Sequence, residues 1–299
     1  MDLAAALIVC RFLHFAAGML LFGASLFCGA LAPPDFGSTL RRSLRLPELL
    51  LAVLVVATGV AWLGLETGEI GNGWLDTVNL GTIDAVLTGT NFGAAWSIRL
   101  VLILLPLPAL LLGGRQRDWA LAATSGLVLA SLGFVGHAAD EGGLRGLVHR
   151  LNHALHLLSA GFWVGCLPPL LLALLLLAKA DMRRDISLTL QRFSGVGHVA
   201  VALVLLTGIV NTLLIIGGLP IDFASPYQLL LAIKIGLVLM MIGIALANRY
   251  VAVPRLARTR WALRGIVIGT CMEMLLGGVV IALVSAFATF DPMATASGS

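Results

Sequence analysis

The sequence predicts an all-α polytopic membrane protein. Eight transmembrane helices form two tandem four-helix repeats, with both termini on the periplasmic side. Three observations predict this. Continuous apolar runs of about twenty residues recur along the chain, the length needed to cross a bilayer as a helix. Hydrophobic residues make up 59% of the 299 positions and charged residues only 11%, with a mean hydropathy of +1.02. The basic residues fall in alternate loops. Soluble domains carry about 25% charged residues, so a soluble fold and a disordered chain are excluded. A transmembrane barrel would show alternating segments of about ten residues, and none is present.

The elements follow in order. The first apolar run, 3–31, is interrupted by Arg11 and His14. Its acidic flank, Asp2, and its length set it apart from a cleaved signal segment. Further runs occupy 47–65, 96–113, 119–138, 151–178, 195–217, 227–249 and 263–289. Pro106 with Pro108, and Pro168 with Pro169, sit inside the third and fifth spans, where each pair should kink or open its helix. The segment 66–95 between the second and third spans is long, and its stretch 83–92 is amphipathic. A short surface helix lidding the histidines is expected there.

Fourteen of the nineteen Lys and Arg residues lie in the loops between spans 1–2, 3–4, 5–6 and 7–8. Arg41, Arg115, Arg183 and Arg249 are examples. The opposite loops carry Arg145 and Arg150 beside most of the acids. The positive-inside rule places the basic loops in the cytoplasm. The formal charge of +4 therefore reports orientation, with a lipid bilayer as the surrounding medium and no nucleic-acid partner.

The halves share landmarks in the same order, the signature of a parallel repeat. His14 and Gly23 match His156 and Gly165. Thr58-Gly59 matches Thr207-Gly208. Phe92 through Arg99 matches Tyr227 through Lys234, and Trp119 matches Trp261. The chain reads as one membrane domain, 1–299. A first repeat spans 1–140 with a long periplasmic loop at 66–95. A second spans 141–290, and a flexible tail covers 291–299.

Polar groups within spans mark functional positions, because burying them in lipid is costly. His149, His153 and His156 are spaced four and three apart, on one helix face. His137 ends span 4 on the same side, and His14 lies in span 1. Neutral imidazoles are common metal ligands, and these five are the candidate metal set. Interfacial hydrogen bonding is the alternative for each. Cys10, Cys28, Cys166 and Cys271 lie in apolar helices where disulfides are not expected. Cys166, Cys271, Met272 and Met274 are soft donors suited to Cu(I), or core filling. Met240 and Met241 lie in span 7. Glu273 in span 8 needs a partner, with Lys234, Arg11 or a histidine available. These three are candidates for charge balance or a relay. Arg99 and Lys234 are expected to snorkel. Trp62, Trp74, Trp96, Trp119 and Trp261 are expected in the interfacial aromatic belt, and Trp163 deeper. No phosphate loop, nucleophile elbow or zincin motif is present, which points away from an enzyme.

At these residues the chain resembles the copper resistance protein D (CopD) family of bacterial inner-membrane proteins. The resemblance rests on Arg11-Phe-Leu-His14, Thr90-x-Phe-Gly-x-x-Trp-x-x-Arg99 and Gly136-His137-Ala138. It continues through His156-Leu-Leu-Ser-Ala-Gly-Phe-Trp-Val-Gly165 with Leu167-Pro-Pro169, Arg192-Phe-Ser194, Thr207-Gly208, Lys234, Asn248-Arg249 and Glu273. It covers nearly the whole chain. It implies movement of copper from periplasm to cytoplasm, with a periplasmic copper carrier as partner, and with His14, His137, His153 and His156 as the functional set. The residues leave a second reading open: a b-type haem cytochrome, or cupric reductase, with two ligands drawn from His14, His137 and His156.

Overall fold

The computed structural model describes residues 2–135, 143–177, 182–219, 222–255 and 260–287. His137, Asp140, Glu141, Lys179, Arg258 and the 291–299 tail lie outside these.

The described residues are helical almost throughout. Helix α1 spans Leu3–Leu26, starts on the Asp2 side chain as its cap and continues as a π-helical turn, Phe27–Leu31. Helix α2, Pro34–Ile70, begins on a proline, which suits a first helical turn. With 37 residues it extends well beyond the expected 47–65. Arg41, Arg42 and Arg45 are therefore helical, not loop residues. The 66–95 segment is also largely helical: a 3-10 turn at Trp74–Val78 precedes α3, Leu80–Gly89, and α4 already begins at Asn91 (Asn91–Leu102). Helix α5 is the single turn Pro106–Ala109, so Pro106 does open the third span. Helix α6 is Gly114–Ser131. Helix α7, Gly143–Gly165, stops where Cys166 and the Pro168-Pro169 pair begin α8, Leu167–Leu176. Helices α9 (Arg183–Ile216), α10 (Pro226–Ala247) and α11 (Arg260–Phe287) complete the fold.

Among the described residues, seven helical segments are long and apolar enough to cross a membrane. The remaining expected span, 119–138, corresponds to α6. Its 18 described residues open with Arg115, Arg117 and Asp118, which lower its apolar character.

Helix α1 is the centre of the bundle, packed on α2, α6, α7 and α11. Its crossing with α7 is set by two glycines. A Cβ on Gly23 would lie 2.2 Å from the Gly165 carbonyl carbon, and one on Gly165 would lie 2.0 Å from Met19 O. The Cys166 thiol donates to Gly23 O at 3.2 Å across the same contact. Helices α10 and α11 pack on each other.

Several arginines read as orientation signals also tie together the end where α1 finishes. Arg115 Nε donates to Gly29 O (2.7 Å) and Arg192 Nη1 to Leu31 O (3.1 Å). Arg41 pairs with Asp118 at 2.5 Å, and Arg117 pairs with Glu48. Glu48 and Asp118 are 1% and 0% exposed. Carboxylates this deep persist only when paired.

Candidate functional site

Two histidine–threonine units are built alike. In the first, His14 on α1 faces Thr58 on α2, with Nδ1 2.9 Å from Oγ1. The Thr58 hydroxyl donates to Leu54 O at 2.5 Å. Its oxygen is thus left to accept, so His14 donates from Nδ1 and carries its lone pair at Nε2. In the second, His156 Nδ1 on α7 lies 2.9 Å from Thr207 Oγ1 on α9, and that hydroxyl donates to Leu203 O at 2.5 Å. The next residue is glycine in both. A Cβ on Gly59 or Gly208 would sit 3.5 or 3.4 Å from the imidazole Cε1. Even the threonine carbonyls are used alike: Cys10 Sγ donates to Thr58 O (3.2 Å), and Asn152 Nδ2 to Thr207 O (2.9 Å).

The units differ at the other imidazole nitrogen. Arg99 Nη2 lies 3.0 Å from His14 Nε2 and donates to it, since a guanidinium has no acceptor. Arg99 does not snorkel. It is 1% exposed, donates to Val128 O and Ser131 Oγ, and lies over the Trp96 ring at 4.8 Å. Trp62 and Trp96 are likewise buried inside the bundle, not in an interfacial belt. Trp62 meets His14 edge-on at 5.7 Å and Trp96 at 4.9 Å. Phe92 stacks on Trp96, while Ile83 and Leu87 of α3 join the same apolar cluster, so the expected amphipathic helix does cover the His14 side. Trp74, Trp119 and Trp261 are exposed.

In the second half the sequence equivalent of Arg99 is Lys234. Its Nζ stands 5.8 Å over Phe287. Among the described residues His156 Nε2 has no hydrogen bond. Asn211 Nδ2 donates to His153 Nδ1 at 3.3 Å and is itself tied to Asn152 through Oδ1 at 2.8 Å. His149 is buried one turn nearer the start of α7.

The soft residues do not gather around these histidines. Cys166 is buried on Gly23 O, Cys271 and Met272 are exposed, and Met274 packs beside the cluster of Phe27 and Leu167. Among the described residues no three His, Cys, Asp or Glu side chains converge as a metal site. No hydrogen bond or ring contact joins His14 to His156. A haem held through His14 would have to displace Arg99.

Glu273 is 4% exposed and accepts from Trp163 Nε1 and Asn248 Nδ2, both at 3.2 Å. Neither Lys234 nor Arg11 pairs with it: Arg11 is bonded to Glu66 at 3.1 Å, beside Trp62. Asn248 begins a π-helical turn, and Gly269 leaves the space its amide occupies. Asn152, Asn211 and Glu48 were not singled out in the sequence, and Asn248 entered only through the family resemblance. The matched Thr-Gly pairs were the available signal for the histidine partners.

Comparison with known proteins identifies the family. Residues 1–147 match the family described as copper resistance protein D-like, N-terminal domain, and residues 187–287 match copper resistance protein D. The chain is 37% identical over 287 residues to the inner membrane protein YebZ of Escherichia coli (strain K12), covering 95% of this chain and 98% of that protein. The chain belongs to the copper resistance protein D family. It is 30% identical over 309 residues to the copper resistance protein D of Pseudomonas syringae pv. tomato, covering 95% and 96% of the two chains. A copper transport protein, CutJ, of Bacillus subtilis (strain 168) is 30% identical over 213 residues, 64% of this chain and 38% of that protein. With seven spanning-length apolar helices among the described residues and an inner-membrane relative along nearly its whole length, this family member is a multi-pass inner-membrane protein.

Proposed function

We propose that the protein carries copper across the inner membrane from periplasm to cytoplasm, as a transporter and not an enzyme. It has eight spans in two parallel four-helix repeats, and copper is received at His153 and His156. The observation that carries this reading is the open Nε2 of His156, oriented by Thr207 beside a second histidine on the same helix face. Family membership supplies the metal. Copper bonds the lone pair at His156 Nε2. His153 becomes the second ligand as a neutral imidazole by moving its proton from Nε2 to Nδ1, which releases the contact from Asn211.

The matched His–Thr geometry and the facing Gly23 and Gly165 support the two-repeat reading. The arginines gathered at the end of α1 support a cytoplasmic placement of that end. Periplasmic delivery by a copper carrier protein fits a receiving site at the opposite end. The haem reading is less well supported, because His14 presents its Nε2 to Arg99. The test is copper accumulation in cells expressing His153→Ala or His156→Ala. Both variants are expected to insert normally and to lose the accumulation. Wild-type accumulation in both would remove the receiving site.

A further inference from the structure

We propose that copper passes through the second half of the chain alone, with Trp163 and Met241 as its constriction and Glu273 as the acid of its cytoplasmic vestibule. This rests on the transport reading above and deepens it.

The first half is closed to a cation. Both His14 nitrogens are bonded, and one partner is the buried guanidinium of Arg99, which keeps its charge at any physiological pH. Trp62 and Trp96 fill the space beside the ring. In the second half the sequence equivalent of Arg99 is Lys234, and among the described residues His156 is bonded at Nδ1 only, which leaves Nε2 open.

Below His156 the same face of α7 carries Trp163, seven residues on and two helical turns away. There Trp163, Val204 and Met241 form a buried cluster, with Met241 only 2% exposed. Beyond it lies a cavity of about 860 Å³. Trp163 and Glu273 are in its wall, and Arg183, Arg249 and His198 lie toward the basic end of the bundle. The histidine site, an apolar plug and a largely apolar cavity with Glu273, Arg183, Arg249 and His198 in its wall thus follow one another through the second half of the bundle, the order expected of a hydrophobic gate. The plug holds a thioether, a soft donor that Cu(I) accepts in passing. The buried Glu273 carboxylate has only neutral N–H partners among the described residues, so it can balance an arriving cation.

The experiment uses the purified full-length protein in vesicles with an entrapped Cu(I) chelator, and Cu(I) held reduced outside. Trp163→Ala is expected to raise the uptake rate. Trp163→Phe, which keeps an aromatic ring but loses the N–H to Glu273, guards against loss of folding and is expected to raise uptake less than Trp163→Ala does. Met241→Leu keeps the volume and is expected to lower uptake about tenfold, the scale for losing one supporting interaction at a metal path, with copper binding at the histidines unchanged. Wild-type uptake that neither Trp163→Ala nor Met241→Leu alters overturns the route and leaves transport standing. Absence of uptake by the wild type overturns both.

Discussion

His156 Nδ1 and Thr207 Oγ1 lie 2.9 Å apart, the same separation as His14 Nδ1 and Thr58 Oγ1 in the other half of the chain. In each pair the threonine hydroxyl is committed to a carbonyl one turn back. The threonine therefore dictates which imidazole nitrogen carries the proton, and so which can bind a metal.

Replacing Thr207 with valine keeps the shape and removes the acceptor. Copper affinity should fall about 10- to 100-fold, as for other groups that orient a metal-binding histidine. Titration of the purified variant with a competing Cu(I) chelator measures it. An unchanged affinity would show that Thr207 does not set the tautomer.

The α1–α7 crossing should be intolerant of a methyl group. Gly165→Ala places Cβ against Met19 O, and overpacking of this kind costs about 1–3 kcal/mol. At Gly208 a Cβ would meet only the His156 ring, Cε1 at an ordinary 3.4 Å and Nδ1 at 3.8 Å. Gly208→Ala should therefore be neutral, or gain about 0.5–1 kcal/mol from helix propensity. Thermal unfolding in detergent distinguishes the two. Equal Tm values would contradict the crossing.

Arg117→Met leaves Glu48 buried without its cation and should cost about 3–5 kcal/mol. Adding Glu48→Leu should recover most of the loss, because the uncompensated charge is the source of the damage. A double variant no more stable than the single one would show that the pair does not act as a unit.

Eight spans place both termini on one side, and seven would separate them. Alkaline phosphatase fused at either end should be active, and a fluorescent protein fused at either end should be dark if it requires the cytoplasm to mature. A fluorescent C-terminal fusion beside an active N-terminal phosphatase would remove α6 from the membrane and overturn the two-repeat arrangement.

Much of this fold was legible because the bilayer imposes length and continuity on each helix, so runs such as 3–31 stand out. Two helix breaks followed from prolines, at Pro106 and at Pro168-Pro169, whereas Pro47 lies inside α2 without ending it. The Arg99 environment was not legible. A basic residue near a span end reads as snorkelling until the fold shows His14, Ser131 and Trp96 around it. Glu48 and Asp118 were hidden for a similar reason: a charge at the edge of an apolar run looks solvated until an arginine from another helix is seen to cover it. The histidines were found by spacing, but their partners Thr207 and Asn211 lie about fifty residues away on α9. Only tertiary packing brings them together.

The central claim is that copper crosses the membrane through this chain by way of His156. Its most direct measurement is initial copper uptake into vesicles holding purified wild-type protein, beside His156→Ala and protein-free vesicles. The account predicts uptake well above the protein-free level for the wild type and a return to that level for His156→Ala. Wild-type vesicles that take up no more copper than empty ones, or a His156→Ala protein that transports as fast as wild type, would contradict it.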